Sequence, residues 1–142
     1  IDLAHASPKL AEEVIALATK PLVVSHTGVQ GTCDRGRNLS DEIIYGVAAS
    51  GGIIGIGFFE ETMCGLDPKL IADGIKYVRD LVGIEHVALG SDFDGTITPG
   101  FDTSELEAIT YELLDQGLSK SEIRKVMGEN MLAFLKVNLP KE

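Results

Sequence analysis

An alternation of two patterns constrains this chain more than any other feature. Short apolar runs, at Ile1–His5, Leu22–His26, Ile53–Phe59 and His86–Gly90, each stop at a polar loop. Between them, apolar residues recur at helical spacing: Leu10, Val14, Leu17 and Ala18, then Ile44, Val47 and Ala48, then Ile71, Ile75, Val78 and Val82. The last third continues as helix, striped by Leu106, Ile109, Leu113 and Leu114, then by Ile123, Val126 and Met127. The order β-α-β-α-β-α-β-α-α predicts an α/β protein with a parallel sheet and right-handed crossovers. Four such units are half of an eight-fold barrel; the rival is a small open doubly wound sheet. Local punctuation agrees with the alternation. Ser7-Pro8 and Asp67-Pro68 start helices, Ser40 precedes the acidic first turn Asp41-Glu42, and Ser119 with Glu122 spells a capping box. Lys20-Pro21, Gly51-Gly52, Gly83 and Gly117 end helices, and Gly128 predicts a kink before a final segment from Met131 to Val137. With no linker and no low-complexity segment, residues 1–142 read as one domain.

Composition narrows the partners. The 142 residues carry a net charge of −10, which argues against nucleic acid or an anionic membrane surface. No apolar run reaches the ~18 residues of a membrane-spanning helix. Because Ile1 already lies in a strand-like run, the chain reads as truncated. Cys33 and Cys64 form no CxxC pair, so a structural zinc knot is not expected. Both fall in loops after successive strands, where a disulfide is geometrically possible. Without a basic and apolar leader, free thiols and a cytoplasmic location are the expectation, with a secreted or periplasmic one as the alternative.

In barrels and open α/β sheets alike, function collects at the carboxyl ends of the strands. Those ends carry His5, His26 and Asp92, and Arg37 lies on the loop after the second run. Neighbouring parallel strands are about 4.8 Å apart, so two imidazoles on adjacent ends can share one cation at Zn–N distances of about 2.0–2.1 Å. Either histidine alone would read as a polar strand stopper; their repeated position favours metal binding. Arg37 is placed to clamp a substrate carboxylate with its two-pronged guanidinium, whereas Arg35 reads as a solvated loop residue. His86 starts a run instead of ending one, which puts it on the opposite, structural face. The stretch Asp92-Phe93-Asp94-Gly95 has two readings. It matches the first motif of haloacid-dehalogenase-like phosphatases, with Asp92 as nucleophile and Asp94 as general acid, but the later strands of that family have no counterpart after Thr98. Otherwise Asp92 projects over a metal site while Asp94-Gly95 makes a turn.

Taken in register, IDLAHAS (residues 1–7), PLVVSHTG (21–28), RNLSDE (37–42), GGIIGIGFF (51–59), HVALGSDFDG (86–95) and Gly128-Glu129-Asn130 resemble the membrane (renal-type) dipeptidase family, the M19 zinc peptidases. The resemblance implies a TIM-like (β/α)8 barrel of the metal-dependent hydrolase type, related to the amidohydrolases, with a two-zinc centre that cleaves dipeptides. It implies that His5 and His26 ligate the second zinc, that Arg37 binds the substrate's terminal carboxylate, and that Asp92 stands at the reacting centre. The family's N-terminal half supplies a His-x-Asp pair, a bridging glutamate and another substrate histidine, and none of these matches anything here. The chain therefore looks like the C-terminal half of such an enzyme, with at most one partial zinc site and no expected activity alone. A non-catalytic half-barrel that only folds or associates is the alternative. Two open sheet edges, with Ile54, Ile56 and Leu89 partly wet, predict a homodimer or complementation by an N-terminal half.

Overall fold

The computed structural model describes residues 1–140. Helix α1 (Pro8–Leu17) begins where the Ser7 hydroxyl accepts the Leu10 N–H at 3.3 Å and Pro8 takes the first helical position. Strand β1 (Val23–Thr27) follows, then α2 (Asp41–Ala49), β2 (Ile53–Ile56), the single turn α3 (Glu60–Met63), α4 (Pro68–Val82) and β3 (Val87–Leu89). The Asp67 carboxylate accepts from the Lys69 N–H at the start of α4, and Gly83, at φ 102°, ends it. Beyond β3 come α5 (Glu107–Asp115), α6 (Lys120–Arg124) and α7 (Asn130–Asn138). The Ser119–Glu122 capping box forms as its sequence pattern predicts. A second box, Asp102 with Glu105, opens a short 3-10 turn before α5. The expected kink lies at Gly128, where a π-helical segment joins α6 to α7.

The three strands are parallel and stand in the order β1-β2-β3. Val23 and Val24 pair with Ile53 and Ile54, and Ile54, Gly55 and Ile56 pair with Val87, Ala88 and Leu89. Sequential order without reversal is barrel winding; a doubly wound sheet reverses direction at its switch point. Every residue of β2 is buried, as a strand covered on both faces must be. Ile44 and Val47 of α2, Ile71, Ile75 and Val78 of α4, Ile109 and Leu113 of α5, and Val126 join Ile54 and Ile56 in one hydrophobic cluster. Helix α7 packs against β2 and β3, and Asn130 Nδ2 donates to the carbonyls of Ile84 and Val87 at 2.6 and 2.8 Å. Among the described residues, no helix is long and apolar enough to cross a membrane.

Three expectations need correction. Ile1–His5 is not a fourth strand: it makes one parallel bridge, Asp2 to Val23, with Leu3 N–H donating to Val23 O at 2.8 Å. The Asp2 carboxylate captures the Ala4 N–H at 2.9 Å and turns the chain, so the ladder stops after one step. Ile54 and Ile56 are not wet but fully buried, and only Leu89 of that trio is half-exposed. Finally, Cys33 and Cys64 are not free thiols. They form a disulfide, with Cα atoms 5.6 Å apart, because the loops after two paired parallel strands run side by side.

Candidate active site

The sheet irregularity in β1 builds the site. Pairing with β2 is in register at Val23 and Val24 and shifts before Thr27, leaving Ser25 and His26 at the break. Such irregularities re-aim side chains and gather near active sites. Freed from the ladder, Ser25 N–H donates to Asp2 Oδ1 at 3.0 Å. The neighbouring strands leave no room there. A Cβ on Gly55 would stand 2.3 Å from Ser25 O, and one on Gly90 would stand 2.2 Å from the same oxygen. Glycine at both positions lets the backbones close under His26.

His5 and His26 meet above this floor. Their Nε2 atoms are 3.0 Å apart and their rings lie edge to face with centroids 4.9 Å apart. The other nitrogen of His26, Nδ1, is 3.0 Å from Ser25 Oγ. Asp92, at the end of β3, brings Oδ2 to 3.7 Å from His26 Nε2, and both side chains are only 16% exposed. His5 and Asp92 share a further property: each is a non-glycine residue in the left-handed region, at φ 63° and 59°. Such a conformation costs about 1–3 kcal/mol per residue and persists where surrounding contacts hold it. For Asp92 one contact is the Gly95 N–H, which donates to Asp92 O at 2.9 Å and closes the turn expected at Asp94-Gly95. Asp2 beneath the histidines has its carboxyl below the ordinary range. Burial works in the opposite direction, and hydrogen bonds from Ala4 and Ser25 together with the His26 charge outweigh it.

Arg37 reaches the same end of the sheet from the β1–α2 loop. Its guanidinium carbon lies 4.9 Å from the centre of the Phe59 ring, a cation–π distance. Phe59, just past β2, stands between Arg37 and His26, whose ring centroid is 6.5 Å from its own. The Arg37 loop is fastened from below. Cys33 is bonded to Cys64, and the buried Asn38 donates from Nδ2 to Cys33 O and Thr62 O, both at 2.8 Å. The structure thus brings His5, His26, Arg37 and Asp92 to one end. Arg35 and Asp94 are exposed, as expected. His86 sits at the other end of the strands with Nδ1 2.8 Å from Gly52 O, a structural contact.

Two imidazole nitrogens at this separation fit adjacent ligands of one cation, and the nearby carboxylate is a suitable further donor. Among the described residues no three His, Cys, Asp or Glu side chains come close enough together to hold a metal ion. The donor set therefore fits part of a site.

The family model for membrane dipeptidase (Peptidase family M19) matches residues 1–138. The chain belongs to the M19 membrane dipeptidases. Dipeptidase verJ of Clonostachys rogersoniana is 32% identical over 140 residues, covering 95% of this chain and 36% of that protein. A metallo peptidase from Rhodobacter sphaeroides, solved with a phosphinate mimic of the dipeptide L-Ala-D-Ala, is 26% identical with a TM-score of 0.86, covering 95% of this chain and 41% of that one. The M19 dipeptidase AC superposes at a TM-score of 0.87 with 26% identity, covering 95% and 43%. This M19 chain thus spans between a third and a half of the length of these relatives, as one portion of their α/β metallohydrolase fold. Membership in M19 removes the phosphatase reading of Asp92 and Asp94. Sequence reasoning missed Phe59, Ser25 and Asp2. Phe59 carried a usable signal, since it follows β2 just where the other strands present their polar residues.

Proposed function

We propose that these residues form one side of a zinc-dependent dipeptidase centre, with His5 and His26 as ligands of one ion. The observation that carries this reading is the approach of the two Nε2 atoms to 3.0 Å, with the Asp92 carboxylate 3.7 Å from one of them. A bound metal ion supplies Lewis acidity toward a peptide carbonyl and a water acidic enough to act near neutral pH. Arg37, steadied on Phe59, offers paired N–H donors to the terminal carboxylate of a dipeptide. That anchor sets how far the scissile bond lies from the histidines. Asp92, partly shielded from solvent, holds its oxygens beside His26, where it can accept a proton and pass it to the leaving amine.

Two imidazoles and one carboxylate are half of such a centre, so the 142 residues alone turn over no dipeptide; the remaining donors come from an N-terminal half. Zinc competition against a chromophoric chelator tests the ligand assignment. His5→Ala or His26→Ala should abolish the weak binding, and His86→Ala should leave it intact. Equal loss in all three variants would sink it. With the N-terminal half supplied, Arg37→Ala should raise KM for dipeptides far more than for their C-terminal amides, and Arg37→Lys should rescue only in part, because an ammonium lacks the fork.

A further inference from the structure

We propose that Asn38 is a positioning residue for Arg37: its buried side chain fastens the Arg37 loop to the turn that follows Phe59 and so holds the guanidinium over that ring, in the pose that receives a substrate carboxylate. This deepens the reading of Arg37 as the carboxylate anchor and rests on it. The loop before Arg37 has little packing of its own. Asp34, Arg35 and Gly36 are exposed, and a Cβ on Gly36 would have no atom within 4 Å. Arg37 is therefore steadied from its other side, through Asn38. Asn38 is 3% exposed, and its Nδ2 donates twice, to Cys33 O within the loop and to Thr62 O in α3, both at 2.8 Å. Thr62 in turn donates from its hydroxyl to Phe59 O at 2.9 Å. Phe59 carries the ring whose centre is 4.9 Å from the Arg37 guanidinium carbon. A closed circuit of contacts thus runs from Arg37 through Asn38, Thr62 and Phe59 back to Arg37.

The amide fills the space that a side chain on Gly28 would need: a Cβ there would stand 2.5 Å from Asn38 Oδ1 and 2.2 Å from Thr62 O. Glycine at this position admits the bridge. The amide's orientation is also fixed, because exchanging its oxygen and nitrogen would set an acceptor against two carbonyl oxygens. Asn38 Oδ1 meets no donor among the described residues, so burying it has a cost, and the two donations from Nδ2 are what the position gains in return. The Cys33–Cys64 bond joins the same two segments. One covalent link fixes a separation and leaves a swivel about it; the amide bridge, at a second point, removes that freedom. The disulfide also keeps the loop attached when the amide is deleted, so truncating Asn38 changes the aim of Arg37 more than it changes the fold.

Nuclear Overhauser contacts between the Arg37 δ-methylene and the Phe59 ring, recorded on the 142-residue chain, read the pose without any assay of activity. The wild-type chain should show them. Asn38→Ala should lose most of their intensity, and Asn38→Ser, with a single hydroxyl donor, should fall between the two; the serine variant decides the matter should the alanine chain not fold. Asn130→Ala is the matched control, since Asn130 is also buried and donates to two backbone carbonyls, those of Ile84 and Val87, at the other end of the strands. It should lower Tm and leave the Arg37 contacts intact. With the N-terminal half supplied, Asn38→Ala should raise KM for dipeptides about tenfold, the worth of one charge-assisted hydrogen bond, while kcat and the KM for C-terminal amides stay within about twofold. Asn130→Ala should leave the ratio of the two KM values unchanged. Full Arg37–Phe59 contacts in Asn38→Ala or Asn38→Ser overturn the proposal, and so does an equal loss in Asn130→Ala. If wild type and Arg37→Ala treat dipeptides and amides alike while the Asn38 series still loosens Arg37, the anchor reading fails and the positioning of Arg37 by Asn38 stands.

Discussion

Removing the Cys33–Cys64 bond tests the most consequential correction to the sequence reading. The bond closes a loop with a sequence separation of 31. Chain-entropy arithmetic for that loop gives about 3.7 kcal/mol at 25 °C, released when the unfolded chain is no longer cross-linked. Domains of this size are stable by only about 5–15 kcal/mol, so the bond carries a large share. It also does local work: Cys33 is buried, and its carbonyl accepts from Asn38 beside Arg37. We expect Cys33→Ala/Cys64→Ala to lose about 2–4 kcal/mol, or about 1–2 M in urea midpoint for an m-value of about 2 kcal/mol/M. Urea unfolding followed by circular dichroism, on the oxidised chain, the reduced chain and the double variant, measures it. Alkylation and mass spectrometry before each run count the thiols. A loss below about 1 kcal/mol, from a chain shown to be oxidised, would refute the entropic argument. Two alkylated thiols in the chain as isolated from its own compartment would instead return the free-thiol expectation, since such bonds persist only where the surroundings oxidise them.

Gly90→Ala should destabilise the fold and displace His26, because the added Cβ would meet Ser25 O at 2.2 Å and His26 Cα at 3.0 Å; a crystal structure with unmoved His26 and unchanged Tm would refute it. Acid should weaken the helix starts. Hydrogen bonds from the Ser119 hydroxyl and N–H hold Glu122 below its ordinary 4.5, and those from Ser104 hold Asp102 below its ordinary 3.8. Their stabilisation is present above those values and is lost as pH falls through the lower folded-state ones, so Ser119→Ala should flatten the acid limb of Tm against pH. The outer edge of β3 has no strand partner among the described residues; we expect a homodimer, and light scattering that returns a stable monomer near 15.2 kDa would refute it.

What could be read in advance depended on how local its cause was. The starts of α1, α4 and α6 were legible because their caps act across two or three residues: Ser7 on Leu10, Asp67 on Lys69, Ser119 on Glu122. Ile1–His5 was misread because nothing in five apolar-leaning residues shows that Asp2 will bond Ala4 and Ser25 across 23 positions of sequence. The disulfide was open for the same reason, being decided by which loops the sheet sets side by side. His5, His26 and Asp92 stood out because each is a polar residue where an apolar run stops, and Arg37 because it lies on the loop after one of those runs; the structure brings all four to one end of the sheet. Ser25 and Asp2 did not stand out, because their contacts with each other and with His26 arise only in the folded chain and their residue types are unremarkable in a loop. One signal exists only in the structure. Where the chain turns left-handed at φ 63° and 59°, local preference favours glycine or asparagine, yet His5 and Asp92 stand there. Cys64 and Thr96 adopt the same conformation at φ 59° and 60°, so backbone strain alone does not mark the site; what sets His5 and Asp92 apart is that both also bring side chains to His26, at 3.0 and 3.7 Å.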